Sequence, residues 1–372
     1  MINHFGDRLV TKIRNSKSFL CLGVDPHLEL MPKIFDITTN SSNIVGQVEK
    51  FCFSLLDVAS GLVPAIKPQV ALFEQLGPDG MKLLSSLCKH AQSKKILVIM
   101  DAKRGDIGST SQAYANAYLG KDAPFPSDAL TVNPWLGIDS LEPFFKKAST
   151  TGSGLFILAH TSNKGSKDIQ EMPLSTGIKC YEHLAKILKP IVEKYKGTLG
   201  LSSIGVVSGA TFREDALELR KLLPNAPFLI PGYGAQGASA KDACAPLIQD
   251  TKHSNLLNFG LINASRSILF PEEAYLAGNI EEWQKIILSK INSINNELIS
   301  IIDTAGLRKK AKVISILEKD MVNDTLRTIK YSDICILLID ASKGIDKQDL
   351  TCLLYTSPSP RDRTRSRMPS SA

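Results

Sequence analysis

The run Ile96-Leu97-Val98-Ile99-Met100-Asp101-Ala102-Lys103-Arg104-Gly105-Asp106-Ile107-Gly108-Ser109-Thr110 begins as five apolar residues and ends in charge. Five apolar residues in succession mark a buried strand. Side chains two apart on a strand share a face, so Asp101 and Lys103 project together from its carboxyl end. Open α/β sheets and α/β barrels carry their chemistry at that end. The alternative is a solvated loop holding three charges. A second run favours the strand. Leu62-Val63-Pro64-Ala65-Ile66-Lys67-Pro68-Gln69 is again apolar and again closes on a lysine. Consecutive strand ends would then place Lys67, Asp101 and Lys103 in one alternating array, which is costly to desolvate unless it is paired or used.

Eight short apolar runs recur: Phe19–Asp25, Leu62–Gln69, Ile96–Lys103, Ala129–Trp135, Leu155–Ser162, Ile204–Ala210, Pro227–Gly234 and Leu256–Arg266. Helical patterns separate them, among them Val45–Ala59, Gly80–Gln92, Ser111–Leu119, Gly177–Lys194 and Phe212–Leu223. Alternating strand and helix implies parallel strands, and eight such units match a (β/α)8 TIM barrel. A doubly wound open sheet is the other arrangement. The fifth-to-sixth connection is long and includes Ser162–Pro173, a candidate loop over a ligand. Phe5, Leu9 and Ile13 stand at helical spacing, so the N-terminal segment reads as an amphipathic helix and not a signal peptide.

The array and its Asp101-Ala-Lys-Arg-Gly-Asp106-Ile-Gly-Ser-Thr110 context resemble the orotidine 5'-phosphate decarboxylase family, in its bacterial-type second subgroup. Leu22-Gly-Val-Asp25-Pro26, Lys67-Pro-Gln69, Thr131-Val-Asn-Pro-Trp-Leu-Gly137, Thr161-Ser-Asn163, Pro231-Gly-Tyr-Gly-Ala-Gln236-Gly237 and Ser265-Arg266 follow in the family's order. Together they span about residues 1–285. The resemblance implies decarboxylation of orotidine 5'-phosphate to UMP with no cofactor and no metal. It implies that Lys103 stabilises and protonates the carbanion, that Asp101 holds Lys103, and that Lys67 anchors the array and reaches the ribose. Asp106 and Thr110 would come from the partner subunit of a homodimer. Asp25 matches a ribose ligand, and Ser162 a residue contacting the pyrimidine.

Phosphate would lie between the loops after the seventh and eighth strands, where barrels often hold it. Gly232, Gly234 and Gly237 permit close backbone approach, Gln236 offers an amide, and Arg266 can grip phosphate oxygens bidentately. Gly232-x-Gly234-x-x-Gly237 also spells a dinucleotide fingerprint. It sits in the seventh strand–helix unit, and no acidic residue stands about 20 positions on to hold a ribose, which argues against that use. The remaining alternatives are a metal-dependent sugar-phosphate enzyme of the same barrel superfamily and a GTP-binding protein.

The GTP reading rests on residues 298–350. Ile301-Ile-Asp-Thr-Ala-Gly306 and Leu307-Arg-Lys-Lys-Ala-Lys312 resemble part of a tandem-domain ribosome-assembly GTPase. The chain has no G-x-x-x-x-G-K-[ST] loop and no base-reading Asn/Thr-Lys-x-Asp motif, which argues against GTP binding. Cys352 to Ala372 resembles translated linker DNA. The expected organisation is therefore a barrel over residues 1–290, an incomplete α/β GTPase-like fragment over 291–350 and a disordered, non-native tail over 351–372.

Composition narrows the classes further. With 43% hydrophobic and 22% charged residues the chain is that of a globular protein. No run approaches the roughly 18–20 apolar residues that span a bilayer. The net charge of +7 leans on the tail, where four arginines face one aspartate, so it implies no nucleic-acid partner. Seven cysteines without a C-x-x-C pair read as free thiols in a reducing cytoplasm, with no zinc site. His160 reads as structural, with no metal set around it.

Overall fold

The continuous apolar runs form short strands buried on both faces, which is why they do not alternate apolar and polar residues. The structure is a computed structural model and describes residues 4–35, 43–234, 237–253 and 256–300. Eight parallel strands are β1 (Leu20–Val24), β2 (Ala65–Pro68), β3 (Leu97–Arg104), β4 (Ala129–Val132), β5 (Gly154–His160), β6 (Ile204–Ser208), β7 (Phe228–Ile230) and β8 (Gly260–Ala264). Each pairs with its sequence neighbour, and β8 returns to β1 through Leu20↔Ile262, Cys21↔Asn263 and Leu22↔Ala264. That last pairing closes the barrel and excludes the open sheet.

The longer helices are α1 (Phe5–Ser16), α2 (Ile44–Ala59), α3 (Gly77–Ser93), α4 (Gly108–Tyr118), α5 (Glu142–Thr151), α6 (Cys180–Lys194), α7 (Arg213–Leu222) and α8 (Ile280–Ser300). Their buried stripes keep helical period. In α2 these are Val48, Phe51, Cys52, Leu55, Leu56 and Ala59; in α8, Trp283, Ile287, Ile291, Ile294 and Leu298. The α8 stripe runs past residue 290, so the barrel's last helix ends at Ser300.

α1 covers the amino ends of the strands. Phe5, Leu9, Val10 and Ile13 are buried there. Arg8 pairs with Asp128 just before β4, and Arg14 Nε donates to Asp250 at 2.8 Å. A Cβ at Gly6 would run into the carbonyl oxygen of Leu201, and one at Gly154 into the Phe5 ring. The chemistry is thereby left to the opposite, carboxyl end.

The eighth apolar run departs from expectation. Leu257–Asn258 leaves the barrel and pairs antiparallel with Ile248–Gln249, and Phe259 turns the chain with φ of 65°. The turn is held by Arg220, whose guanidinium donates to the carbonyls of Pro246, Leu223, Pro224, Ala226 and Phe259. It stacks 3.8 Å from the Phe228 ring centroid. Burial with no facing carboxylate pushes the Arg220 pKa down to about 9.

The chain divides into two units, Met1–Ile301 and Ile302–Ala372. The GTPase-like segment from 301 onward and the 351–372 tail lie outside the described residues, as do Cys335 and Cys352. The five other cysteines are free; Cys21, Cys52, Cys88 and Cys244 are buried and Cys180 is partly exposed. Among the described residues no helix is long and apolar enough to cross a membrane.

Candidate active site

The carboxyl ends of the strands enclose a cavity of about 850 Å³. Asp25, Lys67, Asp101, Lys103 and Ser162 all line it. Leu158, Val207, Leu229 and Pro231 give the β5–β7 side an apolar wall. The volume suits a nucleotide-sized ligand.

Lys67 and Asp101 are buried, at 5% and 6% exposure. Lys67 Nζ donates to Asp101 Oδ2 at 2.6 Å, and Gln69 Nε2 to the same oxygen at 3.1 Å. Lys103 Nζ donates to Asp101 Oδ1 at 2.6 Å, and Thr131 Oγ1 to that oxygen at 3.1 Å. One carboxylate thus receives four donors, two on each oxygen, which satisfies a buried anion. Burial alone would raise the Asp101 pKa; the ammonium groups of Lys67 and Lys103 outweigh it and hold the carboxyl well below its usual range. Burial alone would lower Lys67; Asp101 and Asp25 outweigh it and hold the ammonium above its ordinary value. Lys67 and Asp101 are therefore both ionised at neutral pH. This leaves Lys103, whose side chain is 47% exposed, as the cation facing the cavity.

Asp25 follows β1, and its Oδ1 is buried without a hydrogen-bond partner, as is Asn263 Oδ1 on β8. Both line the cavity and offer acceptors to ligand hydroxyls. The β5–β6 connection roofs the cavity. Lys164–Asp168 is a 3-10 turn, and Gln170 lines the cavity while its Oε1 accepts from Thr161 N at 2.8 Å.

Among the described residues, Asp106, Thr110, Gly234 and Arg266 do not line this cavity. Asp106 accepts from the Ile107 N–H at 2.8 Å, and Thr110 is exposed in the first turn of α4. Gly234 has φ of 71° and faces Ser267, where a Cβ would lie 3.5 Å from the hydroxyl. The loops after β7 and β8 thus meet. Arg266 is exposed at the start of the short helix Arg266–Leu269. Gln236 lies outside the described residues.

The reading of His160 needs correction in one respect. Potential ligand atoms of His160, Glu171 and Asp215 lie within 4.8 Å of one another. Sequence spacing hides this, because the roof and α7 bring the two acids to β5. An internal cation already sits there: Lys179 Nζ is 3.0 Å from Asp215 and 3.6 Å from Glu171. Tyr181 also donates to Asp215, at 2.8 Å. Burial pushes the His160 pKa down against the pull of both acids.

Gln69, Thr131, Asn263 and Gln170 had no assigned role in the sequence. Gln69 and Thr131 stood inside recognised motifs; Asn263 was findable only as an inward residue two positions before Ser265.

A closed parallel barrel with a lysine–aspartate–lysine array at its carboxyl mouth defines an α/β-barrel enzyme. The chain belongs to the orotidine 5'-phosphate decarboxylase / HUMPS family, whose model matches residues 18–272. The orotidine 5'-phosphate decarboxylase of Rhodopirellula baltica is 38% identical over 304 residues, covering 79% of this chain and 98% of that protein. That of Clostridium kluyveri is 38% identical over 255 residues, covering 68% and 84%. A crystal structure described as a putative orotidine 5'-phosphate decarboxylase from Streptomyces avermitilis matches with TM-score 0.65 and 33% identity over 80% of this chain and 96% of that one.

Proposed function

We propose that the protein decarboxylates orotidine 5'-phosphate to UMP and CO2, the step that completes a pyrimidine nucleotide. The observation that carries this reading is the buried Lys67–Asp101–Lys103 array beside an apolar cavity wall. Cleaving the bond between C6 and the carboxylate leaves its electron pair on C6, where the ring offers little delocalisation. Lys103 places a positive charge against that pair and delivers a proton to form the new C6–H bond, with water restoring the ammonium. Asp101 holds the Lys103 ammonium in place, and Lys67 neutralises Asp101. Carbon dioxide, uncharged, leaves along the apolar wall. Asp25 takes ribose hydroxyls, Ser162 the pyrimidine, and Gly234, Gln236 and Arg266 the phosphate.

Asp106 and Thr110 act in the site of a second subunit. Their place outside their own chain's cavity supports this, as do the neighbouring exposed apolar residues Ile107, Trp135 and Leu136. Free thiols fit a reducing compartment. The residues that follow α8, from 301 onward, are non-native to the barrel, whose last helix ends at Ser300. Amplifying the source DNA across codons 285–360 tests this, and an uninterrupted reading frame would refute it.

The test of function is turnover of orotidine 5'-phosphate followed spectrophotometrically with EDTA present. Metal-independent turnover that is lost in Lys103→Ala, with UMP still bound, supports the assignment. No turnover of orotidine 5'-phosphate by a folded, dimeric sample would favour a metal-dependent sugar-phosphate relative.

A further inference from the structure

We propose that Thr131 is a positioning residue for Lys103, acting through a break in the β3–β4 pairing. This rests on Lys103 as the proton donor. β3 and β4 pair regularly at Ile99↔Ala129 and Met100↔Leu130, and then the register shifts so that Arg104 meets Val132. Asp101, Ala102 and Lys103 therefore bulge opposite the single residue Thr131. The bulge puts Lys103 at φ of 50°, a conformation that L side chains seldom adopt.

A bulge removes ladder partners from the backbone it displaces. Thr131 replaces one of them, because its Oγ1 accepts from Lys103 N at 2.9 Å. The same hydroxyl has one proton to give. Asp101 Oδ1 lies at 3.1 Å and the Met100 carbonyl at 3.4 Å, and the charged, nearer acceptor takes it. Lys103 Nζ then donates to that same Oδ1 at 2.6 Å. Lys103 N, Thr131 Oγ1, Asp101 Oδ1 and Lys103 Nζ form a closed ring, which holds a flexible side chain at both of its ends. Thr131 is itself 1% exposed, so its own rotamer is fixed by packing. Its one hydroxyl proton is committed internally, to Asp101.

The ring sets where the ammonium sits without touching the reacting carbon. Its loss misplaces the proton donor and leaves nucleotide binding alone. Full-length Thr131→Val removes the hydroxyl at constant shape, and Thr131→Ser restores it. We expect kcat of Thr131→Val to fall about 10- to 100-fold, the scale of a misplacement near 1 Å. KM, the inhibition constant of UMP and the melting temperature stay close to wild type, and Thr131→Ser regains most of kcat. Unchanged kcat in Thr131→Val overturns the proposal. So does equal loss in Val and Ser, or a joint fall of kcat, UMP affinity and melting temperature, which marks a merely structural role. If Thr131→Val does not fold, Thr131→Ala carries the same comparison with Ser. Lys103→Ala is measured beside them: ordinary turnover there would sink the proton-donor reading itself, whereas an inactive Lys103→Ala with an unaffected Thr131→Val sinks only this inference.

Discussion

Replacing Asp101 with Asn keeps the side chain's shape and removes the charge on which the array converges. Four donors point at Asp101, two of them ammonium groups. An amide has one accepting oxygen, and its NH2 would face one of the donor pairs. Lys67 is 5% exposed and would keep Asp25 as a more distant counter-charge. Breaking a buried pair by deleting one partner costs about 3–5 kcal/mol; Asp25 places the loss near the lower end, about 3 kcal/mol at pH 7. The Lys103 pair, half exposed, adds little.

The sign with pH follows from Lys67. In the wild type its folded pKa is raised above 10.5, so its stabilisation is complete below 10.5 and is lost as pH climbs through the folded value. Without Asp101 the burial effect dominates and the folded pKa drops below 10.5. The unfolded chain then binds more protons between the two values, so the variant gains stability as pH rises there. The gap between wild type and Asp101→Asn should narrow from pH 7 to pH 10. Urea unfolding at fixed protein concentration, read by circular dichroism and by fluorescence of buried Trp283, measures it. A loss below about 1 kcal/mol, or a gap that is flat from pH 7 to 10, would refute a buried Lys67 neutralised by Asp101.

Three further outcomes are expected. Lys103→Ala and Asp106→Ala are each inactive, but coexpressed subunits regain turnover, because a hybrid dimer assembles one intact site; no recovery in a verified hybrid refutes the shared site. His160 is buried with a lowered pKa, so the unfolded state takes up its proton first and stability declines as pH falls below 6.5. His160→Gln should flatten the melting temperature between pH 7 and pH 5, and parallel curves would contradict this. Gly6→Ala forces a methyl onto the Leu201 carbonyl at the end remote from the cavity. It should cost about 1–3 kcal/mol in thermal unfolding with KM unchanged, and a raised KM would place α1 in the site's mechanics.

Much of the barrel was legible because each strand buries both faces and so appears as an uninterrupted apolar run. The eighth run misled for the same reason: Leu257 and Ile262 look alike in sequence, although Phe259 turns the chain between them. The Asp101–Lys103 pair was legible from two-residue alternation, yet alternation says nothing of the bulge that makes room for both. His160, Glu171, Lys179 and Asp215 come from separated segments, and no spacing relates them.

The sequence by itself determined the strand and helix periods, the family, and the residue types gathered at the strand ends. These are local or cumulative signals, carried by hydrophobic period and by motif order. Tertiary structure decided the closure of β8 onto β1, the saturation of Asp101 by four donors and the link from Thr131 to Lys103. Each depends on distances between segments remote in the chain, and a few tenths of an ångström there separate a hydrogen bond from a gap.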